Sequence, residues 1–285
     1  MSAREFGPAW SASLRRGSEG EIRRWVETAF DWCDETDAIA MEHFRAAPRT
    51  IRKPDGSFVT AADTSIESFF VDRLNERFPG HSIIGEELGD RFGSSSVTWY
   101  IDPIDGTHNY MRGVPVFGTL IAVERDGELQ GAVISAPALG ERWHAWRGGG
   151  AWSTSLRDRQ VRRIGVSGID DIQNASLLFT SETEIGRSGL APGLRALLAR
   201  AWRERGFGDF WSYTLVADGA AEVMVEVGLK PWDAAAPMLL VEEAGGRVTD
   251  LDGSRTWTGR SIVATNGHLH DAILAALAGR EEISQ

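Results

Sequence analysis

Two aspartates three residues apart, Asp102 and Asp105, stand in the run Asp102-Pro103-Ile104-Asp105-Gly106-Thr107-His108-Asn109-Tyr110. Carboxylates brought together at the end of a strand suit a hard divalent cation, which prefers oxygen ligands. Pro103 stiffens the turn between them and helps aim both side chains, with the carbonyl of Ile104, toward one point. Gly106 lets the backbone come close to a ligand, and the amides of Gly106 and Thr107, if they open a helix, suit a phosphate oxygen. The Thr107 hydroxyl can orient a water. The chemistry these residue types offer is metal-assisted handling of a phosphate.

Other acidic residues recur at the ends of apolar runs. Glu86 and Glu87 follow Ser82–Gly85, Asp233 follows Lys230-Pro231-Trp232, and Asp63 precedes a helical pattern. Each has a plainer reading on its own. Asp63 and Asp233 fit helix caps, and Glu86-Glu87 fits a solvated turn. Taken together and in this order, convergence on one site is the better account.

The elements that must position these residues follow from periodicity. Apolar residues from Ile22 to Phe44 recur at three- and four-residue steps, which predicts a helix over 21–47 ended near Pro48. Residues 50–60 read as a hairpin around Pro54-Asp55-Gly56. A second helix carries Ile66, Phe69, Phe70, Leu74 and Phe78 and stops at Pro79-Gly80. Strands are expected at 82–85, 97–102, 116–125, 128–135 and 142–147, with Asp126-Gly127 as a hairpin turn and Gly148-Gly149-Gly150 as a tight turn. Farther on, strands at 176–180, 222–227, 246–249 and 261–265 alternate with helices at 194–203, 210–217, 233–244 and 268–277, the pattern of a layered α/β fold. The division expected is an N-terminal extension (1–19), an α+β half (20–160) and an α/β half (161–285).

Composition limits the function classes. With 41 acidic and 30 basic residues the formal charge is −11, which argues against non-specific nucleic-acid binding. It also disfavours an anionic substrate unless bound cations reverse the local field, which again points to metal. No apolar run is long enough for a membrane span, and residues 1–20 lack a signal-like apolar stretch. The single cysteine, Cys33, sits at core spacing in a helical pattern and excludes an internal disulfide, consistent with a reducing cytoplasm.

Gly85-Glu86-Glu87, Asp102 through Thr107, Pro231-Trp232-Asp233-Ala234-Ala235 and Glu243-Ala244-Gly245-Gly246 resemble the two signature regions of the inositol monophosphatase family. The resemblance covers roughly residues 20–280. It implies a layered α/β/α/β/α sandwich and Mg²⁺-dependent hydrolysis of phosphomonoesters with two or three ions. It makes Glu86, Asp102, the Ile104 carbonyl, Asp105 and Asp233 metal ligands, and gives Asp63 an assisting place at a helix start. Glu86 and Thr107 would activate the attacking water, and Asp105, Gly106 and Thr107 would meet the substrate. A homodimer is the family analogy.

Stretches outside these motifs look most like the histidinol-phosphate phosphatase branch: Arg112–Phe117, Ser135–Leu139 with Arg142-Trp143, and Gly208-Asp209-Phe210-Trp211-Ser212-Tyr213. Histidinol phosphate carries an ammonium and an imidazole, so carboxylates near the leaving group would pair with it. Gly208, Asp209 and Glu226 are the candidates, although Glu226 also aligns with a substrate-contacting glutamate shared across the family. Asp209 fits a helix N-cap equally well. His108-Asn109-Tyr110 departs from the usual sequence after Asp-Gly-Thr, and His108 is either a phosphate or substrate contact or a surface side chain. His268 and His270 are expected to be solvated. The rival readings are an inositol-1-phosphatase, a broad-specificity sugar or nucleotide phosphatase, and a non-catalytic module on the same scaffold. The last would have lost acidic positions that are all present here.

Overall fold

The computed structural model describes residues 17–44, 50–53 and 58–279. Helix α1 (Gly17–His43) and helix α2 (Ala61–Arg77) flank a short antiparallel hairpin of β1 (Thr50–Arg52) and β2 (Phe58–Thr60). The hairpin's expected Pro54-Asp55-Gly56 turn, the end of the first helix over 45–47 and the extension over 1–16 lie outside the described residues. Helix α1 begins four residues before the expected Glu21 and takes in residues 17–19.

Seven strands form one sheet in sequence order: β3 (Ser82–Gly85), β4 (Val97–Asp105), β5 (Gly118–Arg125), β6 (Glu128–Ala136), β7 (Glu141–Trp146), β8 (Gly150–Ser155) and β9 (Val161–Ile164). Only β3 and β4 pair in parallel. A short helix α3 (Thr107–Met111) follows β4. The second half adds β10 (Ser176–Phe179), helices α4 (Glu182–Arg187) and α5 (Ala191–Arg200), β11 (Arg203–Gly206), helix α6 (Asp209–Ala217) and β12 (Val223–Val227). It closes with helix α7 (Pro231–Glu243), β13 (Arg247–Thr249), β14 (Ser261–Thr265) and helix α8 (His270–Leu277). Its sheet has the order β11-β10-β12-β14-β13.

Three apolar cores hold five layers together, the central one packed on both faces of the middle helical layer. Trp25, Phe30, Ile66 and Phe70 of α1 and α2 cover one face of the large sheet through Trp99, Ile101 and Ile121. Leu120, Ile134 and Trp143 on its other face meet Phe210, Val216, Leu239 and Leu240 of α6 and α7. Met224 and Ile262 of the smaller sheet close that same core, while Val223, Val225 and Val263 face outward onto Leu194, Leu197 and Ile273. This is the expected α/β/α/β/α sandwich, and the alternation along β12 follows from the two-residue period of a strand buried on both faces.

Several elements depart from expectation. The helix expected over 194–203 stops at Arg200, and Arg203 opens the edge strand β11, whose four residues are all exposed. Strands β8 and β9 and helix α4 carry no clear periodicity in sequence. His268 is exposed as expected, but His270 is fully buried. Its Nδ1 lies 3.0 Å from Thr265 Oγ1 and its Nε2 lies 2.9 Å from Thr249 Oγ1. The ring joins helix α8 to strands β13 and β14 and is not a solvated side chain.

Candidate active site

Strand β4 does not end at Asp102 but continues to Asp105 through an irregularity. Asp102 pairs with Leu120 and Asp105 with Gly118, so three steps on β4 match two on β5. In a regular strand, residues three apart face opposite sides. The extra residue corrects that parity, and Asp102 and Asp105 open on the same cleft. Pro103 sits in the bulge, where it owes no ladder hydrogen bond, and Thr119 Oγ1 donates to its carbonyl at 2.8 Å.

Oxygens of Asp102, Asp105 and Asp233 lie within 4.8 Å of one another. Asp233 arrives at the start of α7, where its Oδ2 accepts from the Lys230 amide at 2.8 Å. Asp63 takes the equivalent place on α2, accepting from the Thr60 amide at 2.8 Å and from the Thr60 hydroxyl. Both are therefore helix caps as well as acidic neighbours of the site. Each cap uses one carboxylate oxygen. Asp63 Oδ1 and Asp102 Oδ1 are buried without a hydrogen-bond partner. Such oxygens are costly unless a proton or cation meets them, so the donor set fits hard divalent cations.

Glu86, Asp102, Ile104, Asp105, Gly106, Thr107, Asp209, Glu226 and Asp233 all line one cleft. Asp63 stands behind it. Gly106 adopts φ 80°, a left-handed conformation that turns the chain from β4 into α3, and a Cβ there would lie 2.9 Å from the Val116 carbonyl. Thr107 Oγ1 donates to the Ile104 carbonyl at 3.0 Å, leaving that carbonyl a second lone pair.

Beside Gly106 in the same cleft, Asp209 is the first residue of α6, not its N-cap. Gly208 occupies the cap position, and the Asp209 backbone is left-handed at φ 54°. That conformation is uncommon outside glycine and is retained where surrounding structure enforces it. Asp209 Oδ2 accepts from Asn109 Nδ2 at 3.3 Å, and the Phe210 amide donates to Asp105 Oδ2 at 2.6 Å, tying the start of α6 to α3 and β4. Glu226 on β12 is buried and accepts from the Tyr213 hydroxyl. His108 is exposed on the rim, edge-on to Phe58 of the hairpin at 5.5 Å between centroids.

Burial is the largest cause of the raised carboxyl pKa values here. Asp102 is pushed well up by burial and then by the charges of Glu86, Asp105 and Asp233, and Asp105 by burial and then by those of Asp209 and Asp233, against the Phe210 amide. Burial takes Asp233 to about 7 and Glu226 to about 8, and it takes Asp209 to about 6 against the opposing pull of His108. A site in which so many carboxylates resist ionisation together is one that a bound cation relieves.

Residues missed by the sequence reading complete the surroundings. Lys53 Nζ lies 2.9 Å from Glu86 Oε1 and 2.7 Å from Glu87 Oε1. The chain has only two lysines among its 30 basic residues, Lys53 and Lys230, and both border this site. That imbalance was the available signal. Buried Glu67, one helical turn beyond Asp63, accepts from the Glu87 and Leu88 amides.

Comparison with known proteins agrees with this geometry. The profile described as the inositol monophosphatase family matches residues 21–282. The chain belongs to that family. A histidinol-phosphatase of Mycobacterium tuberculosis is 43% identical over 86% of this chain and 94% of its own length. One from Streptomyces coelicolor is 39% identical over 87% and 94%. The solved structure of a Thermotoga maritima inositol monophosphatase superposes with a TM-score of 0.78 at 27% identity, covering 89% of this chain and 97% of that one. Like its inositol monophosphatase relatives, the chain is a phosphoric monoester hydrolase.

Proposed function

We propose that this phosphatase uses Mg²⁺ and that its preferred ester is L-histidinol phosphate. The observation that carries the substrate choice is the carboxylate of Asp209, held in a strained backbone and lining the same cleft as Asp102, Asp105 and Asp233 without being one of the three that converge. A leaving group that carries an ammonium matches it, whereas a polyol gains no charge-assisted bond there. Glu226 offers a second carboxylate but suits a hydroxylated ring equally, which keeps inositol 1-phosphate as the rival ester. The histidinol-phosphatase relatives support the choice.

In this reading Glu86, Asp102, Asp105, Asp233 and the free lone pair of the Ile104 carbonyl hold the ions, with Asp63 assisting through its unpartnered Oδ1. Bound Mg²⁺ would neutralise phosphate charge and make a water a competent nucleophile near neutral pH. The amides of Gly106 and Thr107 fix a phosphate oxygen at the start of α3. Thr107 Oγ1, whose proton is held by the Ile104 carbonyl, accepts from the attacking water and orients it. Glu86 draws the water's second proton. Asp209 anchors the ammonium so that the ester bond lies in line with the water, and positioning and charge do most of the work.

A crystal soaked with histidinol phosphate and Ca²⁺, chosen to slow turnover, tests the assignment. The substrate ammonium is expected within 3.2 Å of an Asp209 or Glu226 oxygen. An ammonium pointing to solvent, with neither carboxylate near it, would overturn the substrate reading.

A further inference from the structure

Glu67 stands outside the set of residues that line the cleft, yet it is fully buried on α2 within a largely apolar layer. Its two oxygens have separate tasks. Oε2 accepts from the Glu87 amide at 2.7 Å and Oε1 from the Leu88 amide at 2.9 Å. The amide just before these, that of Glu86, makes the last bond to β4, donating to the Ile101 carbonyl at 3.3 Å. The backbone of Glu86 is therefore clamped on both sides: to the sheet through its own N–H and to helix α2 through the next. Gly85 completes the device. A Cβ on Gly85 would lie 2.2 Å from Glu67 Oε1 and 2.7 Å from its Cδ, so any side chain there would push the carboxylate off its two amides.

A buried carboxylate is a costly way to hold a loop, since a neutral amide or hydroxyl would desolvate more easily. It does supply two charge-assisted bonds to consecutive amides, which fixes the direction of the chain more tightly than one neutral acceptor. The side chain whose direction is fixed is Glu86, with Glu87 beside it, both on Lys53.

We propose that Glu67, with Gly85, is a positioning residue that aims the Glu86 carboxylate into the cation site. This rests on the reading of Glu86 as a cation ligand. Residues that orient a ligand without touching the ion typically contribute ~10–100-fold to metal affinity.

The test is Glu67→Gln in the full chain, with Mg²⁺ or Mn²⁺ affinity measured calorimetrically without substrate and kcat and KM measured at saturating metal. One amide oxygen cannot serve both N–H groups, so the expected result is a loss of about ten-fold or more in divalent affinity. At saturating metal, kcat falls while KM changes less than about two-fold, because the ester's own contacts are untouched. Gly85→Ala reads the same device from the other side and decides the matter alone if Glu67→Gln does not fold. In a Glu67→Ala background, Gly85→Ala is expected to add less than about two-fold, since the collision is gone and coupled positions are non-additive. A Glu67→Gln protein that melts earlier but keeps metal affinity and kcat within two-fold would make Glu67 a loop staple only and overturn the proposal. Failure of the underlying reading looks different: the unaltered protein itself would bind no divalent cation and turn over equally well in chelator.

Discussion

Asp105 is the residue where the site's constraints meet. It closes the bulge in β4, approaches Asp102 and Asp233, and receives the Phe210 amide from the first turn of α6. Asp105→Asn keeps the side chain's shape and its acceptor for Phe210 but removes the charge. The expected outcome is a fall in kcat of about a thousand-fold or more with far-ultraviolet circular dichroism unchanged. Near-normal turnover with Mg²⁺ would refute the metal assignment. Asp209→Asn acts on a different quantity. Asparagine tolerates the left-handed backbone, so the variant removes only charge, and the ammonium bond proposed for Asp209 would be worth ~1.5–3 kcal/mol. The KM for histidinol phosphate should rise ~10–100-fold, with a much smaller change for inositol 1-phosphate. These residues were legible in sequence because they sit in contiguous strings with telling neighbours. Lys53 and Glu67 were not, because their partners lie 33 and 20 positions away for Glu86 and Glu87 respectively, and no local pattern encodes those contacts.

At the scale of elements, two buried polar clusters fasten helices to sheets. Arg142 on β7 donates to Asp37 Oδ2 at 2.6 Å, to the Phe30 carbonyl at 2.6 Å and to Ser135 Oγ at 2.9 Å, fixing α1 across the large sheet. Asp37→Asn strips charge from one side of a buried pair and should destabilise the protein by about 3 kcal/mol in urea unfolding, with the kcat of the folded protein preserved. His270 does the same for α8. Burial, then Arg247, lowers its pKa to about 4 from the usual 6.5, against Asp271. The unfolded chain binds a proton below about 6.5 while the native ring stays neutral until about 4, so this contribution to stability is present above 6.5 and is lost as pH falls through that window. Melting temperatures of the native protein and His270→Gln should therefore converge between pH 7.5 and pH 4.5. A constant difference would contradict a buried neutral ring. Most elements were legible from apolar periodicity. Strands β8 and β9 were not, since buried Ser153 and Thr154 break the alternation, and β11 was not, since Arg203-Glu204-Arg205-Gly206 has no apolar face.

Across the whole molecule, an acidic chain of net charge −11 concentrates carboxylates in one cleft lined from both of its larger sheets and resists their ionisation there. Cation binding and fold stability are then linked. If the proposed cation is Mg²⁺, a hundred-fold excess over its Kd should stabilise the protein by ~2.7 kcal/mol, or about 5 °C in melting temperature for a chain of this size. Chelator should remove that shift, and Asp105→Asn should lack most of it. Among the described residues no helix is long and apolar enough to cross a membrane. The most direct measurement is kcat/KM with Mg²⁺ for histidinol phosphate and inositol 1-phosphate, assayed side by side as phosphate release. The ratio should favour histidinol phosphate by at least about ten-fold, the lower value of one charge-assisted bond. Equal or better turnover of inositol 1-phosphate would contradict it.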